Sequence, residues 1–252
     1  MANAYSADKE RQDIEKLVRS LVSQNKEPPP PQPHTPYVYP PHFGQEENRR
    51  VIAARDALLA KGVEAFPYLI DGLDDSRYSY TAVFPKWAMH LHVREVCLNI
   101  IKKQVEVYRA YTRPIGFPID RPRWLPVPPN RLFPVFFWPN GAKEFMQKWW
   151  TPRKSMTLCD LQREAVEWAV QYERGRGFID KGEESLVLDW YKPLQCRLKS
   201  SEKGIQVGYD GRFLDEDNLK PKDSDLEQWH QRWGERWGTK GDNDAQRRHV
   251  HH

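Results

Sequence analysis

Lys61–Asp75 reads KGVEAFPYLIDGLDD. Phe66, Leu69, Ile70 and Leu73 recur there at helical spacing, yet Pro67 stands among them. Inside a helix, proline removes an i→i−4 hydrogen bond and its ring clashes with the preceding turn. In the first turn it does neither, because that N–H has no intrahelical acceptor and φ is already suitable. The stretch therefore predicts a helix that begins at Pro67, not one that Pro67 breaks. Just upstream, GQEENRRVIAARDALLAKG (44–62) sets Val51, Ile52, Ala54, Leu58 and Leu59 on one face and stops at Gly62. Glycine after the last periodic residue is a helix C-terminal signal.

Working outward, HLHVREVCLNIIKKQVEVYRAY (90–111) predicts a long helix through Val93, Val96, Cys97, Ile100, Ile101, Gln104 and Tyr108. NGAKEFMQKWW (140–150) predicts a short one. TLCDLQREAVEWAVQYERG (157–175) predicts another, with Leu158, Leu161, Ala165, Trp168, Ala169 and Tyr172 as its stripe and Gly175 as its stop. KGEESLVLDWYKPLQCRLK (181–199) reads as a further helix bent at Pro193. At the other end, DKERQDIEKLVRSLVSQN (8–25) carries Ile14, Leu17, Val18, Leu21 and Val22 at i, i+3, i+4, i+7 and i+8. Such a helix is marginal alone in water and needs a surface to dock on.

Sixteen of the 21 prolines fall in two stretches, EPPPPQPHTPYVYPPHF (27–43) and RPIGFPIDRPRWLPVPPNRLFPVFFWP (113–139). Proline density excludes a long helix or central strand there and favours extended backbone. Tyr37, Tyr39 and Phe43 give the first stretch side chains with which to lie along the body. The expected organisation is an N-terminal amphipathic helix (1–27), a proline-rich strap (28–44), a helical domain (45–200) carrying a proline- and aromatic-rich segment (113–140), and a polar C-terminal extension (201–252). Within that extension GIQVGYDGRFL (204–214) carries a hairpin signal, and TKGDNDAQRRHVHH (239–252) reads as disordered.

Taken together, RRVIAARDALLAKGVEAFPYLIDGLDD resembles the junction of two HEAT-like helical repeats. In that family an A helix with a proline, a short acidic turn and a B helix opening with Val-Arg alternate. Ala53, Ala54, Ala57 and Leu58 match the small and aliphatic positions of a B helix. Pro67, Leu69, Ile70 and Leu73 match an A helix, Asp75 the acidic turn residue, and Val93 and Arg94 the start of the next B helix. The resemblance spans about residues 46–105 and implies an all-α stack of helical hairpins, an Asp75–Arg94 contact and service as a protein-binding scaffold. SRYSYTAVFPKWAMHLH (76–92) stands where the family has a turn of a few residues.

The chain has 252 residues, 39 basic and 35 acidic side chains, a net charge of +4 and a mean hydropathy of −0.82. That balance permits a nucleic-acid partner without the dense basic excess of a dedicated binder. Cys97, Cys159 and Cys196 form neither a metal spacing nor a disulfide framework and read as buried reduced thiols, placing the chain in the cytoplasm. No apolar run is long enough to span a bilayer, so no membrane is expected. No phosphate-cradling loop, nucleophile elbow or dinucleotide fingerprint is present. His90 and His92 would point apart on a helix and share a face on a strand; no metal and no cofactor is expected. An enzyme site assembled from distant residues would draw on His90, His92, Glu95 and Asp160.

The tryptophans are more informative. Trp229, Trp233 and Trp237 recur every fourth residue beside Arg232 and Arg236. Phe136, Phe137 and Trp138 follow Arg121, Arg123, Trp124 and Arg131. These residues either pack on the helices or form a partner site, since interface hot spots favour Trp, Tyr and Arg. The expected function is non-enzymatic protein binding, as an adaptor or inhibitor, through Arg121, Arg123, Trp124, Arg131, Phe136, Phe137, Trp138, Trp229, Trp233 and Trp237. The alternatives are a nucleic-acid binder using a basic, aromatic helical face, and an enzyme whose site the sequence does not show.

Overall fold

A computed structural model describes residues 2–30, 37–84, 87–107, 142–175, 191, 194–209 and 214. Its described part is helix-rich: α1 (Ala2–Arg19), α2 (Gln45–Ala60), α3 (Phe66–Asp71), α4 (Val93–Val105), α5 (Ala142–Trp150) and α6 (Leu158–Gly175). Residues 194–200 form a further helical stretch. Between α3 and α4 lies an antiparallel hairpin, β1 (Tyr78–Phe84) and β2 (Trp87–His92). The expectation of an all-α chain is therefore corrected. YSYTAVF and WAMHLH are rich in aromatic and β-branched residues, and the helix expected from His90 starts only at Val93.

Pro67 sits in the first turn of α3, as its missing donor requires. Gly62 adopts φ 63°, the left-handed conformation that closes α2 without a Cβ penalty. Short 3-10 turns, Gly62–Ala65 and Gly72–Asp74, flank α3. Phe66, Leu69, Ile70 and Leu73 are all buried. They meet α4, whose Val93, Val96, Cys97, Ile100, Ile101 and Val105 are fully enclosed. Around α4 pack α2, α3, α6 and the hairpin, while α1 lies on α2 and α3. Ile14 and Leu21 of the N-terminal stripe are buried, and Leu17, Val18 and Val22 are partly so.

Polar side chains close the helix ends. Arg50 donates to the carbonyls of Ser20 and Val22 just beyond α1, where no intrahelical donor remains. Glu47 accepts from Gln24 N at 2.7 Å, and the Arg50 bond holds its carboxyl below the ordinary range. The Asn25 carboxamide pairs with both backbone groups of Gly44, fixing the entry to α2. Thr157 and Asp160 form a capping box at the start of α6. Arg163 donates to Leu198 O and so closes residues 194–200.

The expected Asp75–Arg94 contact is made by backbone, Arg94 N to Asp75 O at 3.0 Å. The Asp75 carboxylate instead accepts from Arg77, which holds it below its ordinary value. The hairpin signal at 204–214 has a counterpart in the bond from Leu214 N to Gln206 O. Of the helix expected over 181–199, residues 191 and 194–199 are helical and the rest, like the segment 113–140 and the tail 239–252, lies outside the described residues.

Two buried glutamines make opposite uses of the interior. Gln162 Nε2 donates to Gln104 O and Ile205 O, and its Oε1 accepts from Ile205 N. Gly204, at φ 79°, lets the chain pass; a Cβ there would come within 2.6 Å of Gln162 Oε1. The Gln104 carboxamide is also buried, and neither of its polar atoms has a hydrogen-bond partner among the described residues. Gln162→Leu strands three backbone groups and is expected to cost about 3 kcal/mol in urea unfolding. Gln104→Met removes an orphaned amide and should be neutral or stabilising in the same assay.

Candidate interaction surface

The hairpin is enclosed on both faces at its base. Tyr80, Ala82, Met89 and Leu91 share the face toward the helices. A bulge at Ser79 switches Tyr78 to the opposite face, beside Thr81, His90 and His92. Ser79 is itself buried and donates to Leu21 O. On this second face Pro29 O can only accept, so His90 Nε2 carries the proton of their 2.9 Å bond. In the neutral ring Nδ1 then accepts from Thr81 Oγ1, which in turn accepts from Tyr78 Oη, each at 2.8 Å. Burial pushes the Tyr78 phenol up to about 12, against the opposing Thr81 bond.

His92 lies between two carboxylates, with Nδ1 3.0 Å from Glu95 Oε2 and Nε2 3.4 Å from Glu27 Oε2. Glu95 also accepts the His92 N–H and a bond from Arg94, capping α4. The two histidines thus share a strand face and bind residues 27 and 29 of the proline-rich segment. Asp160 is engaged by Thr157 and Arg163 at the start of α6. Only His92 and Glu95, of the four residues an enzyme reading would use, are brought into direct contact. Among the described residues no group of three or more His, Cys, Asp or Glu is placed to hold a metal ion. No helix among them is long and apolar enough to cross a membrane.

A cleft of about 510 Å³ opens between the C-terminal half of α2 and residues 206–209. Its floor is an aromatic–cationic stack. The Arg55 guanidinium lies 3.7 Å from the centre of the Tyr209 ring and 5.3 Å from that of Tyr80. It also donates to Tyr80 Oη and to Asp56 Oδ1, so its charge is balanced although its side chain is only 12% exposed. Lys103 Nζ approaches the same Tyr209 ring at 5.0 Å. Burial raises the Tyr209 phenol well above its ordinary value. Leu59, Ala60 and Val207 supply apolar wall, and Leu214 stands at the rim with 68% of its surface exposed.

None of this was singled out from sequence. Leu59 belongs to the apolar face of α2, Arg55 lies outside that face, and Tyr209 joins them only through tertiary packing. The residues read as a partner site, Arg121, Arg123, Trp124, Arg131, Phe136, Phe137, Trp138, Trp229, Trp233 and Trp237, lie outside the described residues. The cysteine reading is corrected at one position: Cys97 and Cys159 are buried but Cys196 is exposed. No family model, curated protein or solved structure matches this chain.

Burial raises both the Cys97 and Cys159 thiols, and Cys159 further donates to Leu198 O and Ser201 O. Because the thiolate is the reactive form, a chromogenic disulfide reagent should consume one thiol quickly in the native protein and three after denaturation. Cys196→Ser should abolish the fast phase. A fast phase surviving that substitution would contradict the burial of the other two.

Proposed function

We propose that this protein is a non-enzymatic, protein-binding adaptor or inhibitor built on a HEAT-like pairing of helices and working in the cytoplasm. The observation that carries the reading is the cleft over α2, where the Arg55–Tyr209 stack lies beside the exposed Leu214. Arginine and tyrosine beside an apolar wall are the chemistry of interface hot spots, and both are held in place before a partner arrives. A partner side chain that covers Leu214 gains burial, and one polar group suffices to meet the rim. Further support for the HEAT-like kinship comes from the order of helices, in which α2, the proline-started α3 and the Val-Arg start of α4 follow one another. The hairpin then stands as an insertion in the turn, and residues 27–30 and 37–43 act as a strap along it, through Pro29 O on His90 and Tyr39 Oη on Thr81 O. The free thiols agree with a reducing compartment.

The test compares retention of proteins from the source cells by the wild type, by Leu214→Asp and by Val38→Asp. Val38 is 81% exposed and does not line the cleft. A specific partner should be retained by wild type and by Val38→Asp, and at least tenfold less by Leu214→Asp, with unchanged circular dichroism in all three. Equal retention by the two variants, or none by the wild type, defeats the reading.

A further inference from the structure

Thr81 fixes the direction of the hairpin backbone. Its N–H donates to Asn48 Oδ1 at 3.3 Å and its carbonyl accepts from Tyr39 Oη at 3.2 Å, so both groups turn away from β2. Thr81 and His90 are therefore a non-hydrogen-bonded pair of the antiparallel ladder, in which both residues direct their N–H and C=O outward. The pair Val83–Ala88 repeats that geometry two residues along. Asn48 and Tyr39 occupy the outer edge of β1 at Thr81. The outer edge of β2 presents the N–H and C=O of Ala88 and His90, which no described backbone or side-chain group takes up. Natural sheet edges are commonly blunted by lysine, inward charges or proline. WAMHLH contains none of these.

We infer that β2 pairs antiparallel with β2 of a second copy of this chain, about a two-fold axis at Met89, giving a four-stranded sheet. The register follows from the free groups. Ala88 opposite His90 of the second copy is the one symmetric arrangement that uses all the outward donors and acceptors at both positions. Each such pair exchanges two hydrogen bonds, and symmetry makes two pairs, so about four bonds close. Met89 then faces its own copy in a non-hydrogen-bonded pair, where side chains approach most closely. Met89 is 40% exposed, and its flexible thioether fills an irregular contact well. Each His90 faces an alanine rather than another histidine, and no formal charge in the strand meets a like charge. Such a contact is small, so the dimer is weak, with a Kd between about 1 mM and 1 µM.

Sedimentation equilibrium of the full chain at pH 8 and low salt, up to about 1 mM, tests this. The wild type should dimerise. Met89→Glu and Met89→Lys should each weaken dimerisation at least tenfold, and an equimolar mixture of the two should restore it. Ala88→Pro, which removes an outward donor without touching the inner ladder, should weaken it as well. Protection of the Ala88 and His90 amides from hydrogen exchange should rise with wild-type concentration, a reading that needs no substitution. A chain that stays monomeric to 1 mM, as it would if this edge served a strand from another protein, overturns the inference. So does a dimer indifferent to all three substitutions, a mixture no tighter than either variant alone, or amide protection that does not change with concentration.

Discussion

The burial of α4 is the constraint on which the described fold depends. Six of its apolar side chains are fully enclosed, and the helix is surrounded by α2, α3 with its following turn Gly72–Asp74, α6 and the hairpin. Enclosing each contributes on the order of 1.5–3 kcal/mol relative to exposure, so this one helix gathers a large share of the driving force. The turn of chain at Gly62 and the proline start at Pro67 exist to bring α2 and α3 to it from two directions. His92 and Glu95 cap the same helix, which couples the hairpin and the proline-rich segment to its first turn.

Enclosing helices creates a second problem, because their ends carry backbone groups without intrahelical partners. Side chains from neighbouring elements solve it here. Arg50 serves the end of α1, Asn25 the entry to α2, Arg163 and the Cys159 thiol the end of residues 194–200, and Gln162 the loop at Ile205. These contacts join segments far apart in sequence. They also place residues 206–209 beside α2, and so build the cleft in which Arg55 meets Tyr209.

The helices were legible because their stripes have a period that only a helix matches, and because Pro67 and Gly62 have positional meaning. The hairpin was not read, although YSYTAVF and WAMHLH alternate as strands do. The HLH preceding Val93 extended a genuine helical pattern backwards, and SRYSYTAVFPKWAMHLH stood out only as longer than the family's turn. The expected Asp75–Arg94 contact occurs between backbones, and the Asp75 carboxylate is taken by Arg77, only two residues away. The cleft was illegible for a different reason. Arg55, Tyr80 and Tyr209 are separated by long stretches, and nothing in their local patterns marks a shared site. Sequence directed attention to tryptophan-rich segments, where unusual composition is visible, and away from a site made by packing.

Binding readings of this chain all presuppose a rigid body organised around α4, on which the cleft and the hairpin edge are held. Native-state hydrogen exchange tests that organisation most directly, since it ranks the opening free energy of each element. The amides of Val96 to Ile101 should exchange only through global unfolding, at the free energy measured by urea. Those of α1 and the hairpin should open at lower free energy. If α4 exchanges more readily than α1, its enclosure does not hold the structure together, and the rigid frame assumed for the cleft and the β2 edge is absent.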